Sequence, residues 1–275
     1  MEKIRAEELI MEVTRYCNFD CKHCFRGEAQ NAFMSTETIY NLFRNLEEVE
    51  KLVLSGGEPF MAVKQLNDVA DAIHRNGVIV NKISIITNGT ILNTEVIRAL
   101  EKLQMVCREL SIKVSNDKFH QMELERMGLK NRRLVNLDLL NKMFGAELYG
   151  TPRRELMFSL IEYVGKARRL TQDDMDKVNN WGEYPTLYAL TNANVFFGAD
   201  LTVKHELPYC DYDCMTIKNL ANIDVEGYLA DSYASYEDSD SHRDLACNIN
   251  YVTLLAAVES NLDLRKDGKQ KGLIK

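Results

Sequence analysis

Short apolar runs and helical stripes alternate through the first two-thirds of this chain, and that alternation leaves few folds open. Residues 9–14 read as a buried strand. Ser35 is placed to cap a helix whose face carries Ile39, Leu42, Phe43 and Leu46. Residues 51–54 form the next strand, ended by Ser55-Gly56-Gly57-Glu58-Pro59, and Val63, Leu66, Val69, Ala70 and Ile73 then make a stripe that Gly77 stops. The cycle repeats with a strand at 82–87 closed by Asn88-Gly89, a helix face at Val96, Ile97, Leu100 and Leu103, a strand at 109–115, and a helix marked by Leu134, Leu137, Leu140 and Phe144. Residues 156–164 are apolar and β-prone, and 173–181 read as helix. Five strand–helix alternations with short connections predict a parallel sheet. Right-handed crossovers curl such a sheet into a full or partial (βα) barrel.

The texture changes after about residue 198, where strand-like pieces follow one another without clear helices between them. Residues 223–229 predict a β-hairpin with Glu226-Gly227 at its turn, and residues 251–258 return to helix. The expected organisation is a barrel core over 1–198, a small β-containing extension over 199–264 and a basic tail at 265–275. With 275 residues, 45% of them hydrophobic, the chain has material for a sizeable core. A net charge of -7 argues against broad nucleic-acid binding and against anionic membrane surfaces. No apolar run approaches the length of a membrane span and no export signal opens the chain, so a cytoplasmic protein is expected.

Seven cysteines fall unevenly: Cys17, Cys21 and Cys24 together, Cys107 alone, and Cys210, Cys214 and Cys247 late. Without an export signal, such clustering points to metal or catalysis more than to disulfides. The stretch Cys17-Asn18-Phe19-Asp20-Cys21-Lys22-His23-Cys24 stands directly after the first strand. In a parallel βα fold, chemistry gathers on the loops at the C-terminal strand ends. Three thiolates on one loop suit three corners of a four-iron cluster and leave the fourth iron open. A structural zinc site with His23 or a distant cysteine as fourth ligand is the other reading of the spacing. His23 suits it poorly, because it adjoins Cys24 and would strain a tetrahedral site.

This C-x3-C-x2-C loop resembles the signature of the radical S-adenosylmethionine superfamily, with His23 at the aromatic position. The second match is Ser55-Gly56-Gly57-Glu58-Pro59, which resembles that family's glycine-rich strand-end motif. The resemblance covers residues 7–200. It implies a partial (βα)6 barrel, a [4Fe–4S] cluster on Cys17, Cys21 and Cys24, and S-adenosylmethionine chelated on the open iron. It implies that His23 lies against adenine, that Gly56, Gly57 and Pro59 bring backbone to the cofactor, and that Glu58 accepts from its ammonium group. Asn88, in Thr87-Asn88-Gly89, and Ser115 and Asp117, after the fourth strand, stand where the family places further cofactor contacts. The Asn-Gly pair also reads as a plain turn, and Asp117 equally as a helix cap. The implied chemistry is reductive cleavage of S-adenosylmethionine to a 5′-deoxyadenosyl radical that abstracts hydrogen from a substrate. An external reductant such as flavodoxin or ferredoxin is implied with it.

The late cysteines and the hairpin resemble the auxiliary-cluster extensions, of SPASM or twitch type, carried by many family members. A second iron–sulfur cluster near Cys210, Cys214 and Cys247 is one reading; a zinc site and ordinary buried thiols are the others. For the substrate, a peptide stands beside a nucleotide or other small molecule, and beside activation of a glycyl-radical partner. The reading from a different class is a structural iron–sulfur or zinc protein. His120 reads as a solvated loop histidine, Cys107 as core, and Arg132-Arg133 as a solvated helix end. Tyr163 and Lys166 close the 156–164 strand, where they would face the pocket.

Overall fold

The computed structural model describes residues 4–24, 26–149, 165–171, 174, 210–211, 216–223, 225–230, 247–254 and 256–257. The elements in chain order are β1 (Ile4–Thr14), α1 (Thr36–Phe43), β2 (Leu46–Gly56), α2 (Val63–Asn76), β3 (Ile79–Thr87), α3 (Thr94–Met105), β4 (Glu109–Ser115), α4 (Lys118–Arg126), α5 (Lys130–Phe144), β5 (Glu147–Tyr149), β6 (Cys210–Asp211), β7 (Thr216–Ile223) and β8 (Leu229–Ala230). They form one sheet in the order β5-β4-β3-β2-β1-β7-β6, with β8 paired to β7. Strands β1 to β5 run parallel to their neighbours, and so does β7 beside β1. Among the described strands the path ends at β5 on one side and β6 on the other, so the sheet is an open, partial barrel.

Strand alternation sorts the side chains into two faces. Leu9, Met11 and Val13 of β1, Leu52 and Leu54 of β2, Ile83 and Ile85 of β3, and Ile112 and Val114 of β4 lie in the main core with the stripes of α1, α2 and α3. Burying each such side chain contributes about 2 kcal/mol. The opposite face is polar at its base. There Glu8, Lys51, Lys82 and Glu109 stand in one row across four paired strands, with ion pairs Lys51–Glu8 at 2.6 Å and Lys82–Glu109 at 2.5 Å.

Helix ends follow their caps. Ser35 accepts from the Thr38 amide at 3.0 Å, Asn93 from the Val96 amide at 2.9 Å, and Gly77 ends α2 in the left-handed region at φ 62°. Two expectations change. Leu46 does not extend the α1 face, because α1 stops at Phe43 and Leu46 opens β2. Leu134 is not on the buried face of α5 but 64% exposed. Arg133 and Asn136 take that face with Leu140 and Phe144, because their side chains reach carbonyls at the strand ends. The hairpin is present: Ile223 pairs with Leu229 and Asn222 with Ala230 in antiparallel register. The expected boundary at 198–199 falls outside the described residues.

A backbone seam joins the tops of β1 and β2. Gly57 N–H donates to Thr14 O at 2.7 Å and Glu58 N–H to Tyr16 O at 2.8 Å. A Cβ on Gly56 would lie 2.1 Å from Thr14 O, and one on Gly57 would lie 2.2 Å from Tyr16 O. Gly56 also sits at φ 123°, so both its conformation and its contacts demand glycine. The two glycines let backbone approach backbone.

This geometry separates two kinds of glycine. A Cβ on Gly77 meets nothing within 4 Å, so Gly77→Ala should cost only the left-handed strain of ~1 kcal/mol, a fall of ~2–4 °C in Tm. Gly57→Ala must open the seam and should cost ~3 kcal/mol, lowering Tm by ~6–12 °C. Thermal unfolding followed by circular dichroism measures both; equal falls would contradict the seam.

Candidate functional site

Beyond Thr14 the chain leaves the sheet and turns back on itself. Thr14 Oγ1 donates to Ala32 O at 2.8 Å and accepts from the Tyr16 amide at 2.9 Å, which fixes the root of the cysteine loop. Tight turns follow, with Cys24 N–H donating to Cys21 O at 3.1 Å and Gly27 N–H to Cys24 O at 3.3 Å. Cys17, Cys21 and Cys24 thereby line one cavity over the C-terminal strand ends. His23, Gly56, Gly57, Glu58, Asn88, Ser115 and His120 line it too. Among the described residues of that wall there is no fourth cysteine.

The three thiols pack with Phe19, Phe119, Leu124, Ala167 and Leu170 in a second apolar cluster. Burial pushes the Cys17 thiol up to about 12, with the Glu58 charge adding to it. Cys21 and Cys24 are raised as well, first by burial. Thiols so placed ionise against a bound cation, which supplies the charge that water does not. The wall already carries donors for the sulfurs. The Phe19 amide lies 3.4 Å from Cys17 Sγ, the Asn88 side chain also bonds Cys17, and the Arg26 and Gly27 amides point to Cys24. Three clustered sulfurs, Cys21 buried and Cys17 and Cys24 half-buried, two of them with N–H donors and with no fourth cysteine among the described lining residues, fit an iron–sulfur cluster with one open iron.

The strand-end ledge is built from the inside. Glu58 is buried, and its Oε1 accepts from the Phe60 amide at 2.9 Å and Thr87 Oγ1 at 2.6 Å, while Oε2 accepts from the Asn88 amide at 2.7 Å. Burial raises its pKa, and those three bonds oppose the rise. Its carboxylate thus ties the β2 end to the β3 end. Pro59 is buried and opens the short turn Pro59–Met61, behind the cavity wall. Asn88 donates to Asn18 Oδ1 at 2.9 Å and accepts from Thr90, joining the cysteine loop to the same ledge.

On the other side stands α4, a helix the sequence pattern does not mark. Asp117 is its cap and accepts from the His120 amide at 3.0 Å. The second carboxylate oxygen meets His120 Nδ1 at 2.6 Å and His23 Nε2 at 3.3 Å. Burial resists charge on Asp117, but the two imidazoles outweigh it and hold the carboxyl well below its usual range. Phe119 stacks on His23, with ring centroids 4.5 Å apart and planes at 12°. Glu123 accepts from the Asp20 amide at 3.0 Å. His120 is therefore part of the site and not a solvated loop residue. Its spacing of three from an N-capping Asp was the available signal.

Charged residues brace the loop from behind. Arg15 and Arg26, both 2% exposed, reach Glu12 Oε1 at 3.2 Å and 2.6 Å, and both line the cavity. Lys166 donates its backbone N–H to Cys24 O at 2.9 Å, and its ammonium pairs with Asp20 and Glu28. Lys22 pairs with Asp174 at 2.6 Å. Arg133 is buried and donates to Ser115 O, and Asn136 donates to Gly89 O at 3.0 Å, so α5 holds the β3 and β4 ends. Arg133 is thus no solvated helix end. Cys107 is half-buried against the main core, and Cys247 is buried beside the loop that packs on the β7–β8 hairpin. Tyr163 and Cys214 lie outside the described residues.

Comparison with known proteins agrees with this layout. Residues 11–150, about half of the chain, match the family model of the Radical SAM superfamily. An uncharacterized protein of Methanocaldococcus jannaschii is 30% identical over 152 residues, 53% of this chain and 50% of that one. The Fe-coproporphyrin III synthase of Methanosarcina barkeri is 31% identical over 129 residues, 44% of this chain and 31% of that protein. The chain thus spans half or less of these curated relatives. Among solved structures, Streptococcus suis SuiB bound to precursor peptide SuiA is similar in fold, with a TM-score of 0.54 at 15% identity over 92% of this chain and 64% of SuiB. No described helix is long and apolar enough to cross a membrane. The cysteine loop, the glycine ledge and α4 all fall within the matched stretch, and the chain belongs to the Radical SAM superfamily.

Proposed function

We propose that this chain is an enzyme that holds a [4Fe–4S] cluster on Cys17, Cys21 and Cys24 and cleaves S-adenosylmethionine reductively. The observation that carries the reading is the convergence of Cys17, Cys21 and Cys24, with no fourth cysteine among the described lining residues, on one cavity beside the Gly56-Gly57 ledge. Held by Cys17, Cys21 and Cys24, a reduced cluster would supply the one electron needed for reductive cleavage of the cofactor's sulfonium. The chain's own part is to bind, orient and exclude water. The N–H groups at the sulfurs and the nearby cations Arg26 and Lys166 favour the charged thiolates. Gly56 and Gly57 present bare backbone to the methionine end of the cofactor. Glu58 reaches the cofactor's ammonium only through whatever hydrogen-bonding capacity its three internal bonds leave, and its first task is to hold the ledge. His23 offers the ring face away from Phe119 to adenine, and Ser115 lies on the same wall. Asn88 serves the Cys17 sulfur and the loop.

A peptide is the substrate class we carry forward. It is prompted by the precursor peptide held by SuiB, whose fold this chain shares. A low-potential donor of flavodoxin or ferredoxin type is the reductant. The barrel core over 1–198 carries the cluster site in this reading, and the C-terminal part over 199–264 contributes β7, which joins the same sheet beside β1.

Anaerobically reconstituted protein, reduced with dithionite, should release 5′-deoxyadenosine and methionine in equal amounts. Cys17→Ala, Cys21→Ala and Cys24→Ala should each abolish both products, whereas Cys107→Ala should retain them. Cleavage surviving the first three changes, or absent from wild-type protein with a full cluster, would refute the proposal. Iron and sulfide analysis should give about four of each per chain. About eight would instead assign a second cluster to the late cysteines.

A further inference from the structure

We infer that Asp117 is a positioning residue, acting on the bound nucleoside only through the two imidazoles, His23 and His120, that it clamps against the cavity. The inference rests on the cofactor assignment above. It departs from a direct ligand role for Asp117, which its place after β4 would otherwise suggest.

The geometry points this way for three reasons. First, the carboxylate is already engaged. One oxygen caps α4 through the His120 amide, and the other meets both His23 Nε2 and His120 Nδ1. Second, the two histidines line the cavity and Asp117 does not. Third, His23 is fixed from every direction α4 can reach. Phe119 stacks on one face at 4.5 Å, His120 stands edge-on at 5.3 Å and 79°, and Asp117 holds the Nε2 edge. An imidazole N–H aimed at a carboxylate fixes both ring orientation and tautomer. The proton of His23 is then on Nε2 and that of His120 on Nδ1. Without the carboxylate, both rings lose the contact that selects one rotamer, and the flat face offered to a planar base is no longer preset.

Asp117→Asn isolates this role. Asn caps helices about as well as Asp, so α4 keeps its first turn. The amide end now brings N–H groups toward two ring N–H donors, so the clamp is lost while the helix stays. Binding of S-adenosylmethionine to cluster-loaded, oxidised protein is measured by equilibrium dialysis, with iron content matched between variants. Asp117→Asn should weaken binding by roughly 10-fold, the scale of one well-made polar contact. In protein carrying His23→Phe and His120→Phe, adding Asp117→Asn should change binding less than about 2-fold, because the intermediary rings are gone. The electron paramagnetic resonance signal of the reduced cluster should change on cofactor addition in wild type, and less so in Asp117→Asn. An undiminished loss in the two-Phe background would mean that Asp117 touches the ligand itself, and it overturns the inference. So does the absence of any loss from Asp117→Asn alone. If the two-Phe protein fails to load its cluster, each single Phe background replaces it; coupling in either supports the inference, and additivity in both overturns it. Wild-type protein that loads a cluster yet binds no S-adenosylmethionine overturns the cofactor assignment, and this inference with it. Failure confined to the Asp117 comparisons leaves the assignment standing.

Discussion

The site depends on backbone meeting backbone at the top of the first two strands. Gly57 and Glu58 donate to Thr14 and Tyr16 across a gap that admits no Cβ. This extends the β1–β2 pairing beyond the last ladder residues and sets the cysteine loop against the ledge. Everything else on the ledge follows from that register. Glu58 is carried to the β3 end, where Thr87 and Asn88 receive it, and Asn88 reaches back to Asn18 and Cys17. The glycines serve the protein's own packing before they serve any ligand, and a bare backbone facing the cavity is the by-product.

Once rooted, the loop is braced on two flanks of different character. On one, α4 contributes an aromatic face, a carboxylate shared by two imidazoles, and Glu123 on the Asp20 amide. On the other, Lys166, Arg169 and Asp174 contribute ion pairs and a backbone bond to Cys24. Such bracing suits a site whose sulfurs are costly to ionise alone. A loop free to relax would let water in and lower that cost, whereas a rigid dry one keeps it high until a cation arrives. The same burial that disfavours three thiolates therefore makes the site demanding about what it accepts.

The sequence made β1 to β4, the β7–β8 hairpin turn, most helix stripes, the cysteine loop and the Gly56-Gly57 motif legible, because each rests on local spacing, whereas β5 and the parallel docking of β7 on β1 left no such mark and the strand expected at 156–164 lies outside the described residues. It did not reveal α4. Residues 118–126 are largely polar, and only Phe119, Glu123 and Leu124 are buried, too few to draw an apolar stripe. Nor did it reveal the role of Arg133, which reads as a surface charge until the Ser115 carbonyl lies beside it. Glu58 shows the same limit from the other direction. Its position after two glycines pointed to a ligand, but the protein partners that occupy it lie 29 and 30 positions away. Pairings set by tertiary approach leave no periodic trace.

The strand that carries the cysteine loop is flanked by parallel neighbours on both sides, β2 from nearby in sequence and β7 from far downstream. Arg5 pairs with Thr216 and Met11 with Ile223, a separation of about 210 positions. Contacts of that span form late, because a long loop must close before they return anything. Until residues 216–223 are made and docked, β1 therefore has one edge bare, although the root of the cysteine loop is already held by Ala32, Gly57 and Glu58.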